Sequence, residues 1–256
     1  DIGKGDITSA LLDKKRITVT IISRENAIVA GVQYAKEVFK IKGCSVKVLK
    51  KDGTKIKPNQ TIMSITGDAG KILTCERTAL NLLTRMSGIA TQTNQIVKKI
   101  PSKTKIYATR KTAPGLRYFD KEAVEIGGGK KHRLRLDEMV MIKDNHIAIE
   151  DSLLSLIKKA KKKYRKFEVE VENTQDAILA AKEGATIIML DNFTPAQIKK
   201  TIQTLKDQKL RNNVLLEASG GINSKNIKKY GQTGVDIISV GSITNSVIGI
   251  DMSLEI

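Results

Sequence analysis

Six short apolar runs with β-strand composition, each followed by a segment of helical periodicity, occupy the chain after Pro101. The runs are KIYAT, MVMIK, FEVEV, TIIML, NVLLEA and DIISVG, which begin at residues 105, 139, 167, 186, 213 and 236. Alternation of short strands with amphipathic helices is the pattern of consecutive βα units, whose strands pair in parallel. The second part of the chain is therefore predicted to fold as an α/β barrel.

Polar or glycine residues lie at the end of each of these six runs or directly after it. In α/β barrels the reactive groups lie at the carboxyl ends of the strands, so the six ends are expected to form one shared site. In chain order the ends carry Arg110 and Lys111, Lys143 and Asp144, Glu170 and Glu172, Asp191 and Asn192, Ser219 with Gly220 and Gly221, and Gly241 with Ser242. This arrangement favours an enzyme.

Residues 1–74 have a different organisation. Residues 16–30 and 45–66 are rich in β-branched residues and broken by turn-forming pairs, which predicts short strands and turns. Residues 31–43 carry apolar positions at helical spacing and end in glycine, which predicts a helix. A longer helical pattern over residues 74–99 is interrupted near Ser87 and Gly88. The expected fold class is α/β, with an N-terminal α+β module ahead of the barrel.

The formal charge of the chain raises the question of a polyanionic partner. The chain has 45 Lys plus Arg against 27 Asp plus Glu, a net charge of +18 that attracts polyanions. A nucleic-acid-binding protein is therefore one hypothesis, and it predicts binding that weakens steeply with salt. Against it, aromatic residues are 4% of the chain, tryptophan is absent, and no helix-turn-helix, zinc finger or stacking platform is recognisable. We expect no nucleic-acid partner and a largely solvated excess of lysine.

The cysteine content and the hydropathy of the chain indicate the cellular compartment that we expect for the protein. Cys44 and Cys75 are the only cysteines and lack metal-binding spacing, so two buried thiols in a reducing, cytoplasmic setting are expected. No apolar run approaches the ~20 residues of a membrane helix, and no signal-peptide pattern opens the chain, so no membrane partner is expected. Because the first residue is Asp rather than Met, some N-terminal sequence is expected to be missing.

The strand ends combine cations with carboxylates. Arginine can hold a carboxylate through two parallel hydrogen bonds, and a carboxylate pair facing a phosphorylated substrate most often binds Mg²⁺. Glu170 and Asp191, on neighbouring strands, are the candidate Mg²⁺ ligands, while glycine-rich turns at 127–129 and 220–221 offer N–H groups to phosphate. The candidate cations are Arg77, Arg110, Lys111, His132, Arg133 and Lys143. Together they predict a pocket for a carboxylated molecule beside a phosphorylated one.

Each element also has a purely structural interpretation, and these alternatives stay open. A Gly-Gly pair is most often a tight turn, a strand-end carboxylate often caps a helix, and KKHRLR at 130–135 can be a solvated loop. His132 and His146 can be hydrogen-bonded structural histidines. The motifs GxxxxGKS/T, GxGxxG and GxSxG are absent, and two histidines are too few for a histidine-rich zinc site.

Nine colinear motifs closely resemble those of the quinolinate phosphoribosyltransferases, also called nicotinate-nucleotide pyrophosphorylases (carboxylating). They are DIGKGDITS (1–9), ERTALNLLTRMSGIAT (76–91), ATRKTAPGLR (108–117), EIGGGKKHRLRL (125–136), MIKDNHI (141–147), VEVEN (169–173), MLDNF (189–193), EASGGI (217–222) and ISVGSITNS (238–246). The motifs span nearly the full length of the chain. Their number and order are far more specific than any single one.

The resemblance implies a domain organisation and a reaction. The N-terminal α/β sandwich would cover residues 1–74 with the tail at about 246–256, and an incomplete α/β barrel would cover residues 75–245. The family works as a homodimer or higher homo-oligomer with its active site near the subunit interface. With Mg²⁺ it joins quinolinate to phosphoribosyl pyrophosphate, giving nicotinate mononucleotide, pyrophosphate and CO2 for NAD synthesis.

By position in the motifs, the resemblance also implies three groups of site residues. The carboxylates of quinolinate would be held by Arg110, Lys111, His132 and Arg133, with Arg77 offered from the partner subunit. The catalytic residues facing the phosphoribosyl group and its Mg²⁺ would be Lys143, Glu170 and Asp191. The 5′-phosphate would be held by Ser219, Gly220, Gly221 and Gly241.

The chain departs from the family pattern in three respects. Lys130, Lys131 and Arg135 stand where the family commonly has a neutral residue, Asn and Gly, and Asn245 stands where many members carry His. The helical extension that usually precedes the DIGxGDIT motif is absent from the sequence. Two relatives on the same scaffold are alternatives, a nicotinate phosphoribosyltransferase and the family's molybdenum-transport-associated branch. The number of cations favours a dicarboxylate over nicotinate.

Overall fold

The computed structural model describes residues 1–256 and divides them into two compact units. The first unit comprises Asp1–Asn94, Ala113–Gly128 and Ser246–Ile256, and the second comprises Gln95–Thr112 and Gly129–Asn245. In chain order up to the end of the long helix, the elements are β1 (Arg16–Ser23), β2 (Ala27–Ile28), α1 (Val32–Ile41), β3 (Ser45–Val48), β4 (Lys55–Ile56), β5 (Thr61–Asp68) and α2 (Ala69–Val97).

Short 3-10 helices lie at Ser9–Leu11 and Arg211–Asn213. The remaining strands and helices alternate as the sequence predicts. They are β6 (Lys105–Tyr107), α3 (Arg117–Ile126), β7 (Val140–Ile142), α4 (Asp144–Glu150), α5 (Leu153–Lys163), β8 (Phe167–Val171), α6 (Thr174–Glu183), β9 (Ile187–Asp191), α7 (Pro195–Asp207), β10 (Leu215–Ser219), α8 (Ile227–Gly231), β11 (Ile237–Ser239), α9 (Ser242–Asn245) and β12 (Met252–Glu255).

The first unit is built on an antiparallel sheet with the strand order β12-β1-β5-β3, beside a small β2-β4 ladder. Helix α1, which confirms the helix predicted over residues 31–43, buries Phe39 against the sheet core. The tail of the chain completes the sheet, because β12 pairs with β1 from Thr20 opposite Glu255 to Ser23 opposite Met252. Cys44 and Cys75 are buried free thiols in this core, as expected.

The predicted interruption of the long helix at Ser87 and Gly88 is wrong, because α2 runs unbroken from Ala69 to Val97. The two small residues serve tertiary contacts instead. Ser87 Oγ accepts a hydrogen bond from the Ala30 N–H at 2.9 Å. A Cβ on Gly88 would lie 2.1 Å from the Ile248 carbonyl oxygen, so glycine is required for that close approach.

The first unit is also larger than the predicted domain of residues 1–74 and 246–256, since residues 75–94 and 113–128 belong to it. Helix α2 contributes Ala79, Leu80 and Leu83 to the same apolar core as the sheet. Helix α3 is tied to α2 by an ion pair in which Arg85 Nε and a terminal guanidinium nitrogen each lie 2.8 Å from a carboxylate oxygen of Asp120. Because of these contacts, residues 75–94 and 113–128 belong to the first unit, although the sequence pattern changes at residue 74.

The second unit contains six parallel strands in the order β6-β11-β10-β9-β8-β7, which confirms all six strands predicted from the sequence. Strands β6 and β7 are the ends of this order, so the sheet has the open arrangement of an incomplete α/β barrel. Lys130 covers the free edge of β6, where its N–H donates to the Ile106 carbonyl and its own carbonyl accepts from the Ala108 N–H. None of the helices combines the length and apolar character that a bilayer crossing requires.

Candidate active site

All six strands run in the same direction, so their carboxyl ends lie together along one edge of the sheet, the carboxyl-end edge. The register places Ser219 of β10 directly beside Asp191 of β9. Glu170 of β8 pairs with Met189, two residues before Asp191, so the two predicted carboxylates lie on neighbouring strands at the same edge. The structure thus brings together the strand-end residues that the sequence singled out in the second unit.

Lys143 and Glu170 form an ion pair across β7 and β8, in which Lys143 Nζ donates to Glu170 Oε2. Lys143 also stands at the start of helix α4, where its N–H donates to His146 Nδ1 at 3.0 Å. This bond caps the helix, so His146 has the structural role that the sequence left open. Lys143 thereby links the first turn of α4 to the carboxylate of β8.

The turns after β9 and β10 interlock around Gly220. The Asn192 N–H donates to the Ser219 carbonyl at 3.0 Å, and Asn192 Nδ2 donates to Asp191 Oδ2 at 2.6 Å. A Cβ on Gly220 would lie 2.2 Å from Asn192 Oδ1 and 2.6 Å from its backbone nitrogen. Gly220 and Gly221 have φ of 93° and 61°, and their N–H groups make no hydrogen bond within the chain. Free N–H groups in a left-handed turn are donors of the kind to which a phosphate can bind.

Lys111 and Gly241 lie side by side at the ends of β6 and β11. Lys111 Cδ would be 3.5 Å from a Cβ on Gly241, and Asn245 Nδ2 would be 3.6 Å from it. Thr244 Oγ1 donates to the Lys111 carbonyl at 2.8 Å, which fixes the loop against helix α9. The ends of β6 and β11 therefore present a lysine and an asparagine amide beside a glycine, which has no side chain.

Two guanidinium groups converge near the middle of the site. Arg133 donates to the Met139 carbonyl at 3.1 Å, and a second terminal nitrogen lies 3.3 Å from Met141 Sδ. Burial lowers the pKa of Arg133, and the neighbouring charge of Arg110 lowers it further. Arg110 Nε is buried without a hydrogen-bond partner. A buried, unsatisfied donor beside a second cation is the arrangement that a carboxylate would satisfy.

His132 is turned into the interior, which differs from the carboxylate contact that the resemblance implied. Its side chain is 6% exposed, and its Nε2 lies 3.2 Å from Glu168 Oε2 and 3.5 Å from Glu217 Oε2. Its Nδ1 accepts the Arg133 N–H at 2.7 Å. Burial alone would lower the pKa of His132, but the two carboxylates outweigh it and raise the pKa to about 9. The backbone of His132 is left-handed, with φ of 52°.

Sequence reasoning missed the residues around that ring. Glu168 and Glu217 are fully buried, and Ser239 Oγ donates to Glu217 Oε1 at 2.5 Å. The ring of Tyr107 stands edge-on to His132 with 5.6 Å between centroids. The sequence did contain a signal for the two glutamates. In FEVEV, Glu168 stands two positions before Glu170, and in NVLLEA, Glu217 stands two positions before Ser219. Residues two apart in a strand lie on the same face, so both glutamates share the face of a predicted site residue.

The glycine triplet at 127–129 serves the fold rather than an anion. The N–H groups of Gly127 and Gly128 donate to the carbonyls of Ala123 and Glu125, where they end helix α3. A Cβ on Gly127 would lie 2.5 Å from the Ala90 carbonyl oxygen. Of the two glycine-rich turns, the one at 220–221 retains the geometry of an anion site.

Arg77 lies on α2 in the first unit, apart in the chain from the strand-end residues. It lines a cavity of about 460 Å³ together with Asn81, Arg85 and Phe119. Two cations thus face this cavity, one of them already paired with Asp120.

Two sets of side chains could hold a metal ion. Glu170 and Asp191 offer carboxylate oxygens at the open edge of the sheet, which suits Mg²⁺ because it prefers oxygen ligands and retains water or phosphate in its remaining positions. The second set is His132, Glu168 and Glu217, whose ligand atoms all lie within 4.8 Å of one another in the interior. Only the first set is open to a phosphorylated substrate.

Comparison with known proteins agrees with this geometry. The quinolinate phosphoribosyl transferase N-terminal domain matches residues 6–87, and the C-terminal domain of the same family matches residues 89–255. A protein of Methanothermobacter thermautotrophicus named "Probable nicotinate-nucleotide pyrophosphorylase (carboxylating)" is 45% identical over 264 residues, covering 100% of this chain and 95% of the relative.

Further relatives have the same name and fold. The nicotinate-nucleotide pyrophosphorylase (carboxylating) of Mycobacterium leprae is 39% identical over 249 residues, covering 94% of this chain and 86% of that protein. The structure of the nicotinate-nucleotide pyrophosphorylase from Francisella tularensis superposes with a TM-score of 0.93 at 40% identity, covering 100% of this chain and 91% of the other. The chain belongs to the quinolinate phosphoribosyl transferase family.

Proposed function

We propose that this chain transfers the phosphoribosyl group of phosphoribosyl pyrophosphate to quinolinate with decarboxylation, giving nicotinate mononucleotide, pyrophosphate and CO2 for NAD synthesis in the cytoplasm. The observation that carries the proposal is the unsatisfied Arg110 Nε beside Arg133, at the same sheet edge as two carboxylates and an anion-binding turn. That edge can receive a carboxylated ring and a phosphorylated sugar together.

The quinolinate end of the site consists of cations. Arg110 and Arg133 repel each other, so an anion between them relieves the repulsion and fills the vacant donor of Arg110. Lys111 supplies a further charge, and Arg77 is offered from the partner subunit of a homodimer or higher oligomer. Quinolinate carries two carboxylates and so uses more of these cations than nicotinate does.

The phosphoribosyl end consists of the turns after β8 to β11. Ser219, Gly220 and Gly221 hold the 5′-phosphate through the hydroxyl and the free N–H groups, with Gly241 leaving room for it. Glu170 and Asp191 would hold Mg²⁺, which when bound would supply positive charge to neutralise the pyrophosphate. Lys143 stands within the same group through its ion pair with Glu170.

The reaction follows from these positions. As the bond between the anomeric carbon and pyrophosphate breaks, positive charge develops on the ribose ring, and the carboxylates of Glu170 and Asp191 stabilise it. Lys143 can turn from Glu170 to the leaving oxygen, where it balances the departing negative charge. The pyridine nitrogen of quinolinate then supplies the electron pair for the new bond to the anomeric carbon.

Decarboxylation uses the product of that step. As the bond between the adjacent ring carbon and its carboxylate breaks, CO2 leaves and the electron pair stays on that carbon, where the positive charge of the quaternised nitrogen stabilises it until the carbon takes up a proton from water. Arg110 and Arg133 orient the dicarboxylate for the attack, while the second carboxylate, which is retained in the product, keeps its contacts throughout. The chain therefore needs no further group to remove CO2.

The direct test mixes the purified protein with quinolinate, phosphoribosyl pyrophosphate and Mg²⁺, and follows nicotinate mononucleotide by chromatography. Nicotinate is the parallel substrate, since it lacks the carboxylate that leaves. Product from quinolinate and none from nicotinate is the expected result. Equal turnover of both would assign the chain to a nicotinate phosphoribosyltransferase, and no turnover by folded protein would contradict the proposal.

A further inference from the structure

A short turn that carries two of the proposed quinolinate cations follows the end of β6. It comprises residues 109–112, and we call it the cation turn. The Thr112 N–H donates to the Arg110 carbonyl at 3.0 Å, which closes a tight turn centred on Lys111. The cation turn belongs to no helix or strand, so no ladder of backbone hydrogen bonds holds it in place.

Threonine hydroxyls hold both backbone polar groups of Lys111. Its N–H donates to Thr109 Oγ1 at 3.1 Å, and its carbonyl accepts from Thr244 Oγ1 at 2.8 Å. The first bond is local, whereas Thr244 lies 133 positions further along the chain, on α9. Thr244 is therefore the residue that ties the cation turn to another part of the sheet.

Thr244 is itself held firmly at the end of β11. It is 1% exposed, and its N–H donates to the Gly241 carbonyl at 3.1 Å. The same carbonyl lies 3.3 Å from the Thr244 hydroxyl and offers it a local acceptor, as is common for threonine in helices. The acceptor in Lys111 is closer, so the hydroxyl favours the bond that leaves the helix. The cation turn thus rests on the part of the sheet that contains Gly241 of the proposed phosphate subsite.

The charge of Arg110 gives the tie a purpose. The neighbouring charges of Arg110 and Arg133 repel each other, and Arg110 Nε is buried without a hydrogen-bond partner. Repulsion and an unsatisfied donor both favour movement of an untied turn away from the site. A residue that holds the turn before the substrate binds keeps the cations assembled for its carboxylates, and such preorganisation strengthens binding.

We propose that Thr244 is a positioning residue: its hydroxyl fastens the cation turn to α9 and so holds Arg110 and Lys111 where the carboxylates of quinolinate bind. Arg110 and Lys111 touch the substrate, and Thr244 acts through them. The identity of the substrate rests on the proposed function. The bond joins the motifs ATRKTAPGLR and ISVGSITNS, which lie far apart in the sequence.

Thr244→Val tests the proposal, because it removes the hydroxyl and keeps the shape of the side chain. The KM for quinolinate should rise about five- to tenfold, as loss of one neutral hydrogen bond allows. Saturating quinolinate still fills the site, so kcat should fall by less than about threefold. The KM for phosphoribosyl pyrophosphate should change by less than about twofold, since the turn at 220–221 is untouched. Thr244→Ser restores the hydroxyl and should return the quinolinate KM to within about twofold of wild type.

Thr104→Val is the matched control for loss of a buried hydroxyl. Thr104 is 3% exposed, and its Oγ1 donates to the Val235 carbonyl at 3.0 Å. This bond connects the amino ends of β6 and β11, whereas the Thr244 bond connects their carboxyl ends. Thr104→Val should destabilise the protein in urea unfolding and leave both KM values unchanged. The proposal would be overturned by an unchanged quinolinate KM in Thr244→Val, by an equal rise of its two KM values, or by the same quinolinate effect in Thr104→Val.

Amide hydrogen exchange without substrates reads the cation turn independently of turnover. The Lys111 and Thr112 N–H groups should exchange several-fold faster in Thr244→Val than in wild type, and at the wild-type rate in Thr244→Ser and Thr104→Val. Unchanged exchange in Thr244→Val would contradict the proposal. If Thr244→Val does not fold, Thr244→Ala takes its place under the same criteria, because it puts no methyl group against the Lys111 carbonyl. Absence of turnover by wild-type protein would refute the proposed function, and the exchange rates would still decide whether Thr244 holds the turn.

Discussion

Two non-glycine residues at the candidate site have left-handed backbones, His132 with φ of 52° and Asn192 with φ of 56°. Such conformations are uncommon and persist where the surroundings hold them in place. Glu168 and Glu217 hold His132, and the Ser219 carbonyl with Asp191 holds Asn192. The sequence predicted that Asn192 stands at a strand end and that His132 belongs to the site, but not the direction of either side chain. That direction depends on partners from other strands, which no local pattern encodes.

At the residue scale, the raised pKa of His132 makes folding stability depend on pH. The folded pKa of about 9 exceeds the unfolded value of ~6.5, so the folded chain binds more protons between them. The associated stability is complete below pH ~6.5 and is lost as the pH rises through about 9. Urea unfolding at several pH values should show a loss on the order of 2 kcal/mol across this window.

The matched variant for this measurement is His132→Gln, which removes the titrating ring. We expect its stability to vary less over the same window, with the wild-type and variant curves converging at high pH. Parallel curves would contradict this expectation and show that His132 binds no extra proton on folding, so that Nδ1 keeps the hydrogen bond it accepts from the Arg133 N–H. The unfolding experiment therefore distinguishes a charged His132 ring from a neutral one in the folded protein.

At the scale of elements, the strands were predictable and the tertiary use of small residues was not. Runs such as TIIML and DIISVG announce buried parallel strands through their β-branched residues, and all six appear in the sheet. Ser87 and Gly88 suggested a broken helix because their local propensity is low. Their actual partners, Ala30 and Ile248, are distant in sequence, so propensity alone could not show why α2 continues.

Gly88→Ala tests that account of helix α2. In an exposed helix interior the change would stabilise by ~1 kcal/mol. Here the new methyl group meets the Ile248 carbonyl oxygen at 2.1 Å, so we expect destabilisation of about 1–3 kcal/mol in chemical unfolding. Gly70→Ala is the control, because its nearest neighbours would be 3.4 Å away. Equal stabilisation by both changes would disprove the close-packing role of Gly88.

The turn after β10 contains two adjacent glycines whose substitution gives a sharper test of steric packing. Gly220 and Gly221 both have positive φ, so alanine strains either one by about 1 kcal/mol or more. Only Gly220 also meets the Asn192 backbone nitrogen, at 2.6 Å, whereas nothing lies within 4 Å of a Cβ on Gly221. Gly220→Ala should therefore displace the turn and raise the KM for phosphoribosyl pyrophosphate on the order of 100-fold. Gly221→Ala should raise it much less, and equal effects would refute the steric account.

At the scale of the whole molecule, nine colinear motifs predicted the family that the comparisons show, while the division of the chain differed from expectation. Motifs report which residues line a site, but unit boundaries follow from packing. Helix α2 illustrates the difference, since residues 76–91 carry a family motif and yet Leu80 and Leu83 complete the core of the first unit. Arg77 lies in this same segment, away in sequence from every strand-end residue, and the proposed function assigns it to the site of a partner subunit.

Mixing two inactive variants tests that role. Arg77→Ala removes the cation proposed to act in the partner's site, and Glu170→Ala removes a proposed Mg²⁺ ligand of its own site. If Arg77 acts across the interface, a mixed dimer contains one site with both residues intact, since the Arg77→Ala subunit supplies Glu170 and its partner supplies Arg77. Random association of equal amounts puts half of the molecules in mixed dimers, so coexpression should restore about one quarter of wild-type activity.

The same experiment separates the alternatives for Arg77. If Arg77 served the site of its own subunit, each site of the mixed dimer would lack one residue, and activity would stay at the level of the parent variants. The double variant Arg77→Ala with Glu170→Ala, coexpressed with wild type, is the control for subunit exchange and should retain activity from its wild-type partners. Sedimentation of each preparation establishes that dimers are present, so an unrestored mixture of dimers would place Arg77 outside the shared site.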